Sequence, residues 1–202
     1  MAFDTLPTQD VIQSTAEKLR ENNFKVEIVQ SGQEAKEKVL ALIPKDSEVM
    51  TATSVTLDTL ELTSHLNESG DYKSVKQELS ALNRETDHRQ MQRIGAAPEY
   101  VVGSVHAITQ DGVVMIASNS GSQLPAYSYG ADHVIWVVGA QKLVKDLDEG
   151  FKRIYEHTLP LESERATKAY GVDGSFVSKV LIFNKEPARD ITIILVNEVL
   201  GY

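Results

Sequence analysis

Apolar and polar positions alternate along this chain in a way that predicts short helices and strands in turn. Residues 8–23 put Ile12, Ala16 and Leu19 on one helical face, with Thr8 placed to cap and Asp10 near the positive helix end. Residues 24–29, FKVEIV, alternate with period two, as a strand with one buried face does. Ser31-Gly32-Gln33-Glu34 is a capping-box pattern opening a helix that turns Ala35, Val39 and Leu42 inward and stops at Pro44. A short apolar run over 48–52 then passes into Thr53-Ser54-Val55-Thr56 and a helix carrying Leu57 and Leu60. Residues 71–93 hold Val75, Leu79 and Leu82 at helical spacing among mixed charges, which predicts one long exposed helix.

Residues 100–123, YVVGSVHAITQDGVVMIASNSGSQ, are the stretch around which the rest is arranged. The β-branched run 101–108 reads as a strand, Gln110-Asp111-Gly112 as a hairpin turn, and 113–117 as the returning strand. Six small polar residues, 118–123, follow and can offer N–H and hydroxyl groups to a ligand or simply form a loop. A short helix over 124–129 ends at Gly130. Residues 132–138, DHVIWVV, are nearly all apolar, as in a strand buried on both faces. A helix from Asp146 turns Leu147, Phe151, Ile154 and Tyr155 inward. Residues 158–176 read as irregular, and 180–183 and 191–196 as two strands joined by a turn containing Pro187. The alternation predicts an α/β fold, one domain over 1–202, with a mostly parallel sheet covered on both faces and hairpins in the middle and at the end.

Composition narrows the chemistry. A net charge of −9 with no Lys/Arg block argues against nucleic acid and anionic membranes as partners. The absence of cysteine excludes disulfides, thiolate catalysis, and cysteine-held iron–sulfur and zinc sites. The histidines at 65, 88, 106, 133 and 157 show no H-x-x-x-H or H-E-x-x-H spacing, so neither a metal site nor a bound cofactor is expected. P-loop, G-x-G-x-x-G and G-x-S-x-G patterns are lacking. No basic-plus-apolar leader and no membrane-length apolar run is evident, so a cytoplasmic protein is expected.

Candidate residues lie where strands run into loops. In an open α/β sheet the strand-to-helix turn is the usual ligand position, which singles out Thr53, Ser54 and Thr56; the same hydroxyls would serve as helix caps. Ser104, His106 and Thr109 border the central strand, and Gly121, Ser122 and Gln123 close the small-residue loop. His106 reads either as a pocket-facing donor or as a hydrogen-bonded core histidine. Lys142, just past the buried strand, is placed to neutralise a carboxylate or phosphate; its alternative is a solvated lysine at the sheet edge. Asp111 and Glu99 are candidate general bases, although Asp111-Gly112 is most simply a turn. The three loops 53–56, 104–109 and 120–123 are expected to converge at one end of the sheet, joined there by Lys142.

The segment VGSVHAITQDGVVMIASNSGSQLPAYSYGADHVIWVVGAQKLVKDLDEGFKRI, with TATSVTLDTLEL before it and LVNEVLGY after it, resembles the LUD-domain (lactate-utilisation) family over residues 8–202. The resemblance implies a Rossmann-like three-layer α/β/α fold with a β-hairpin insertion. That fold is similar to the CoA-transferase, ribose-phosphate-isomerase and glucosamine-phosphate-deaminase group, whose members place small anionic ligands over strand-end loops. It also implies a small anionic metabolite as ligand, a role in lactate or 2-hydroxy-acid use, iron–sulfur or oxidoreductase partner subunits, and a homodimer. Longer members carry a cysteine-rich segment near the end; residues 159–174 contain none. Two other readings follow from the same residues. One is an isomerase or acyl/CoA-transfer enzyme using Lys142 with Asp111 or Glu99. The other is a non-catalytic partner subunit working through the 71–93 helix.

Overall fold

A computed structural model describes residues 3–202. The strands, in chain order, are β1 (Lys25–Val29), β2 (Glu48–Thr51), β3 (Lys73–Ser74), β4 (Tyr100–Gly103), β5 (Ala107–Thr109), β6 (Val114–Ser118), β7 (His133–Gly139), β8 (Leu143–Val144), β9 (Lys179–Phe183) and β10 (Asp190–Val196). The helices are α1 (Gln9–Glu21), α2 (Gly32–Leu42), α3 (Val55–Thr59), α4 (Leu62–Glu68), α5 (Val75–Ser80), α6 (His88–Ala96), α7 (Leu147–Lys152) and α8 (Leu159–Tyr170). Six strands form a parallel sheet in the order β1-β10-β7-β4-β2-β3. The other four form a mixed sheet, β8-β5-β6-β9.

The period-two rule divides the core. In β7, Val134, Trp136 and Val138 face one cluster, while Ile135 and Val137 face another. β10 repeats the split, with Ile193 and Leu195 on the first side and Ile194 and Val196 on the second. The second side is closed by Ala35 and Val39 of α2, Leu57 of α3 and Leu62 and Leu66 of α4. The first is closed by Ile12 and Leu19 of α1 and by one face of the smaller sheet, through Ile108, Val114 and Ile116. The opposite face of that sheet, Ala107, Met115 and Ala117, packs on Ile154. The mostly parallel sheet with helices on both sides is therefore as the sequence pattern predicts.

Four segments differ from the sequence expectation. The run 101–108 is not one strand: it leaves the large sheet after Gly103 and enters the smaller one at Ala107. A Cβ on Gly103 would lie 1.7 Å from the Tyr127 hydroxyl, so the ring takes the space a side chain would need and the strand ends against it. The span 71–93 is β3, α5 and α6 rather than one helix. Ser74 Oγ accepts from Gln77 N–H to start α5, and Asn83 and Asp87 bond each other's turn and interrupt the helical ladder. Residues 159–170 are helical: Pro160 directly follows a widened π-helical turn at 153–158, and Gly171 closes the helix with φ +67°. Finally, β9 and β10 do not pair as a hairpin but lie in different sheets.

Between α7 and α8 the backbone widens into a π-helical turn, Arg153–Thr158, so one continuous helical rod carries an extra residue in its middle. Among the described residues no helix is long and apolar enough to cross a membrane.

Trp136 anchors the first cluster. It is fully buried, with Tyr127 and Phe183 packed edge-on to its ring at 5.5 and 5.3 Å. Trp136→Ala is expected to cost about 3–5 kcal/mol, and Trp136→Phe less, in urea denaturation followed by circular dichroism. Equal midpoints for wild type and Trp136→Ala would show that this ring does not anchor the core.

Candidate functional site

Four strands of the large sheet deliver their carboxyl ends to one place: β2 runs into Thr53–Thr56, β4 into Ser104, β7 into Gln141 and Lys142, and β10 into residues 197–202. In open α/β sheets this end is where ligands bind. Lys142 lies at the meeting point, only 1% exposed, and its Nζ donates to Thr56 Oγ1 and Ser104 Oγ, both at 3.0 Å. The Thr56 hydroxyl passes its own proton to the Leu200 carbonyl at 3.1 Å. Gln141 Nε2 donates to the Leu200 and Gly201 carbonyls at 3.0 and 3.1 Å, and its Oε1 accepts from Leu200 N–H. Gly201 has φ +58° and lies flat on Thr56: a Cβ there would be 2.5 Å from Thr56 Oγ1. Glycine is the residue that this close, left-handed approach permits.

Arg153 reaches the same linker from the other side. Its side chain is fully buried, Nη1 donating to the His106 carbonyl at 2.6 Å and to Thr158 Oγ1 at 3.1 Å. Nε and Nη2 are buried with no hydrogen-bond partner among the described residues. Lys142 on Ser104 and Arg153 on His106 thus grip residues two apart on the crossing from β4 to β5. His106 Nδ1 accepts from Ala117 N–H at 3.1 Å, which leaves the neutral ring's proton on Nε2. At the rim, Tyr202 donates its hydroxyl to Glu162 Oε2 at 2.8 Å, and Arg165 makes two 2.7 Å bonds to the same carboxylate.

Burial dominates the electrostatics. It lowers the Lys142 ammonium well below its usual range, and the Arg153 charge pushes in the same direction. Burial, then Lys142 and Arg153, brings His106 down to about 3, so its ring is neutral near pH 7. Burial brings Arg153 to about 10, still charged at neutral pH. Burial raises the Glu162 carboxyl, but hydrogen bonds from Arg165 and Tyr202 outweigh it and hold the group below the usual carboxylate range. Among the described residues no carboxylate forms an ion pair with Lys142 or Arg153. No group of three or more His, Asp and Glu there is arranged to hold a metal.

Of the residues the sequence singles out, Thr56 and Ser104 both bond Lys142, and His106 lies close enough to feel the Lys142 charge. Thr53 is exposed and Ser54 half-buried at the start of α3, a helix of five residues. Thr109 bonds Asp111 across the hairpin turn, where Asn22 also donates to the Asp111 and Gly112 carbonyls. Glu99 accepts from Glu48 N–H at the opposite end of the sheet, and neither Asp111 nor Glu99 is brought to Lys142. The 120–123 loop turns elsewhere: Ser118 bonds Gln123 and Gly121, Ser122 is exposed, and Gly121 lines an open depression of about 620 Å³ with Ala97, Leu124, Tyr129 and Lys179. Sequence reasoning missed Arg153, Gln141, Glu162 and Tyr202. Periodicity gave no signal for Arg153: at α-helical spacing it lies off the Leu147, Phe151 and Ile154 face, and it is buried within the π-helical turn.

A match to the LUD domain spans residues 12–197, and the chain belongs to the LUD-domain family. Among solved structures it is similar to a DUF162 family protein from Deinococcus radiodurans. That likeness has a TM-score of 0.58 and 12% identity, covers 96% of this chain and 100% of the other, and shows a shared fold. No curated protein matches at significance.

A buried lysine without a counter-charge leaves a mark on stability. The folded chain holds Lys142 neutral at pH values where the unfolded chain, with a pKa near 10.5, binds a proton. Between those two values the unfolded state carries more protons, so stability rises with pH by up to about 1.4 kcal/mol per unit and falls as pH drops. Denaturation followed at a series of pH values below 10.5 should show this rise in wild type and its loss in Lys142→Met. Parallel behaviour of the two proteins would mean that Lys142 titrates normally.

Proposed function

We propose that this LUD-domain protein binds a small carboxylate metabolite of the 2-hydroxy- or 2-oxo-acid class at the Lys142–Arg153 site, as part of lactate or related acid utilisation. The observation that carries this reading is the Arg153 guanidinium, fully buried with Nε and Nη2 unpartnered among the described residues. A buried charge without a partner is costly, and an anion that accepts from both nitrogens would relieve the cost. A carboxylate fits that two-point fork, and Lys142 Nζ with the Thr56 and Ser104 hydroxyls supplies polar groups for the neighbouring oxygen substituent. The acidic chain as a whole, at −9, makes this a local rather than a general attraction for anions.

Calorimetric titration with lactate, pyruvate and a sugar phosphate tests the reading. Arg153→Met and Lys142→Met should each weaken binding of the carboxylate roughly ten- to a hundredfold, the worth of a charge-assisted hydrogen bond of about 1.5–3 kcal/mol. Affinity unchanged in Arg153→Met, for a carboxylate that does bind wild type, would place the ligand elsewhere.

A further inference from the structure

The hydrogen bonds of Lys142 fix more than its position. An ammonium has three N–H groups to satisfy, whereas Nζ has two acceptors, Thr56 Oγ1 and Ser104 Oγ. Thr56 has committed its own proton to Leu200, so it can only accept from the lysine. A neutral amine matches this surrounding: two N–H donors are used and the lone pair is left over. The side chain is 1% exposed, and no carboxylate among the described residues pairs with it. An amine in this state is a nucleophile, as protonated surface lysines are not.

We infer that Lys142 forms an imine with a small 2-oxo acid, Nζ attacking the carbonyl carbon while the unpartnered Nε and Nη2 of Arg153 hold the adjacent carboxylate. This rests on the carboxylate site proposed above. In the addition step the Nζ lone pair forms the C–N bond and one amine proton passes to the former carbonyl oxygen. In the second step that oxygen leaves as water with the remaining amine proton, and the C=N bond forms. No oxidant or reductant is consumed. Ser104 Oγ, 3.0 Å from Nζ, is placed to relay the proton. The substrate reaches the amine when residues 200–201 lift off Thr56, parting the Thr56 and Gln141 bonds to their carbonyls. A 2-hydroxy acid fits the same fork but has no carbonyl to react, so it acts only as a reversible ligand.

The test incubates the full chain with pyruvate and sodium cyanoborohydride, followed by intact mass and peptide mapping. One reduced adduct per chain, mapped to Lys142, is expected; replacing pyruvate with lactate, or Lys142 with arginine (Lys142→Arg), should abolish it. The wild-type peptide map decides the point even if the variant does not fold. No adduct at Lys142, or labelling no greater there than at exposed lysines, overturns the inference. Calorimetry with lactate and pyruvate in parallel separates the two readings. Both acids bound without a Lys142 adduct overturns the imine and leaves the carboxylate site. Neither bound and no adduct overturns both.

Discussion

The placement of Lys142 and Arg153 inside the protein without a carboxylate partner is the constraint to which the surrounding structure answers. Removing either group from water costs several kcal/mol unless its protons find acceptors or the charge is given up. The fold responds differently to the two. For Lys142 it provides hydroxyls from the first turn of α3, Thr56, and from the end of β4, Ser104, which suit an uncharged amine. For Arg153 it provides the His106 carbonyl and the Thr158 hydroxyl, but leaves two nitrogens bare. The first arrangement is close to complete without a ligand, whereas the second is not.

Both side chains act on a three-residue crossing, 104–106, where the chain steps from the parallel sheet to the mixed one. The step is possible because Gly103 yields its side-chain space to Tyr127, which stacks edge-on against Trp136 in the main cluster. Packing thus sets where β4 ends, and the end of β4 sets where Ser104 and His106 can be reached. The small sheet has an apolar face on each side, one against the main core and one against Ile154, so it transmits the position of the helix bearing Arg153 to the crossing. Site geometry and core packing are one construction.

The main strands of the large sheet and its candidate site end were legible in the sequence. The apolar run of β7 and the hydroxyl-rich exits of β2 and β4 carry simple signals of periodicity and composition, and Lys142, Thr56 and Ser104 followed from them. The rest depended on non-local facts. The break in 101–108 has only Gly103-Ser104 as a local sign; the ring that occupies the side-chain space of Gly103 belongs to a tyrosine more than twenty positions later. Arg153 was passed over because the pattern recorded only apolar inward positions. Asp111 and Glu99 attracted notice as carboxylates near strands, yet a strand has two ends and sequence alone does not say which one a neighbouring loop occupies. The role of Gly201 emerges only when β10 is seen to end beside Thr56.

The π-helical turn at Arg153–Thr158 gives the site a dependence on counting rather than on chemistry. Each helical residue advances the side-chain direction by about 100°, so the one extra residue sets the bearing of Glu162 relative to Arg153 around a shared rod. With it, Arg153 points at the crossing while Glu162 meets Tyr202 at the rim. Shortening the turn by one residue would leave every functional group present. The two would nonetheless be out of phase, and either the guanidinium would leave the interior or the rim carboxylate would turn from the chain that closes over Thr56. Length here is as strict a specification as identity.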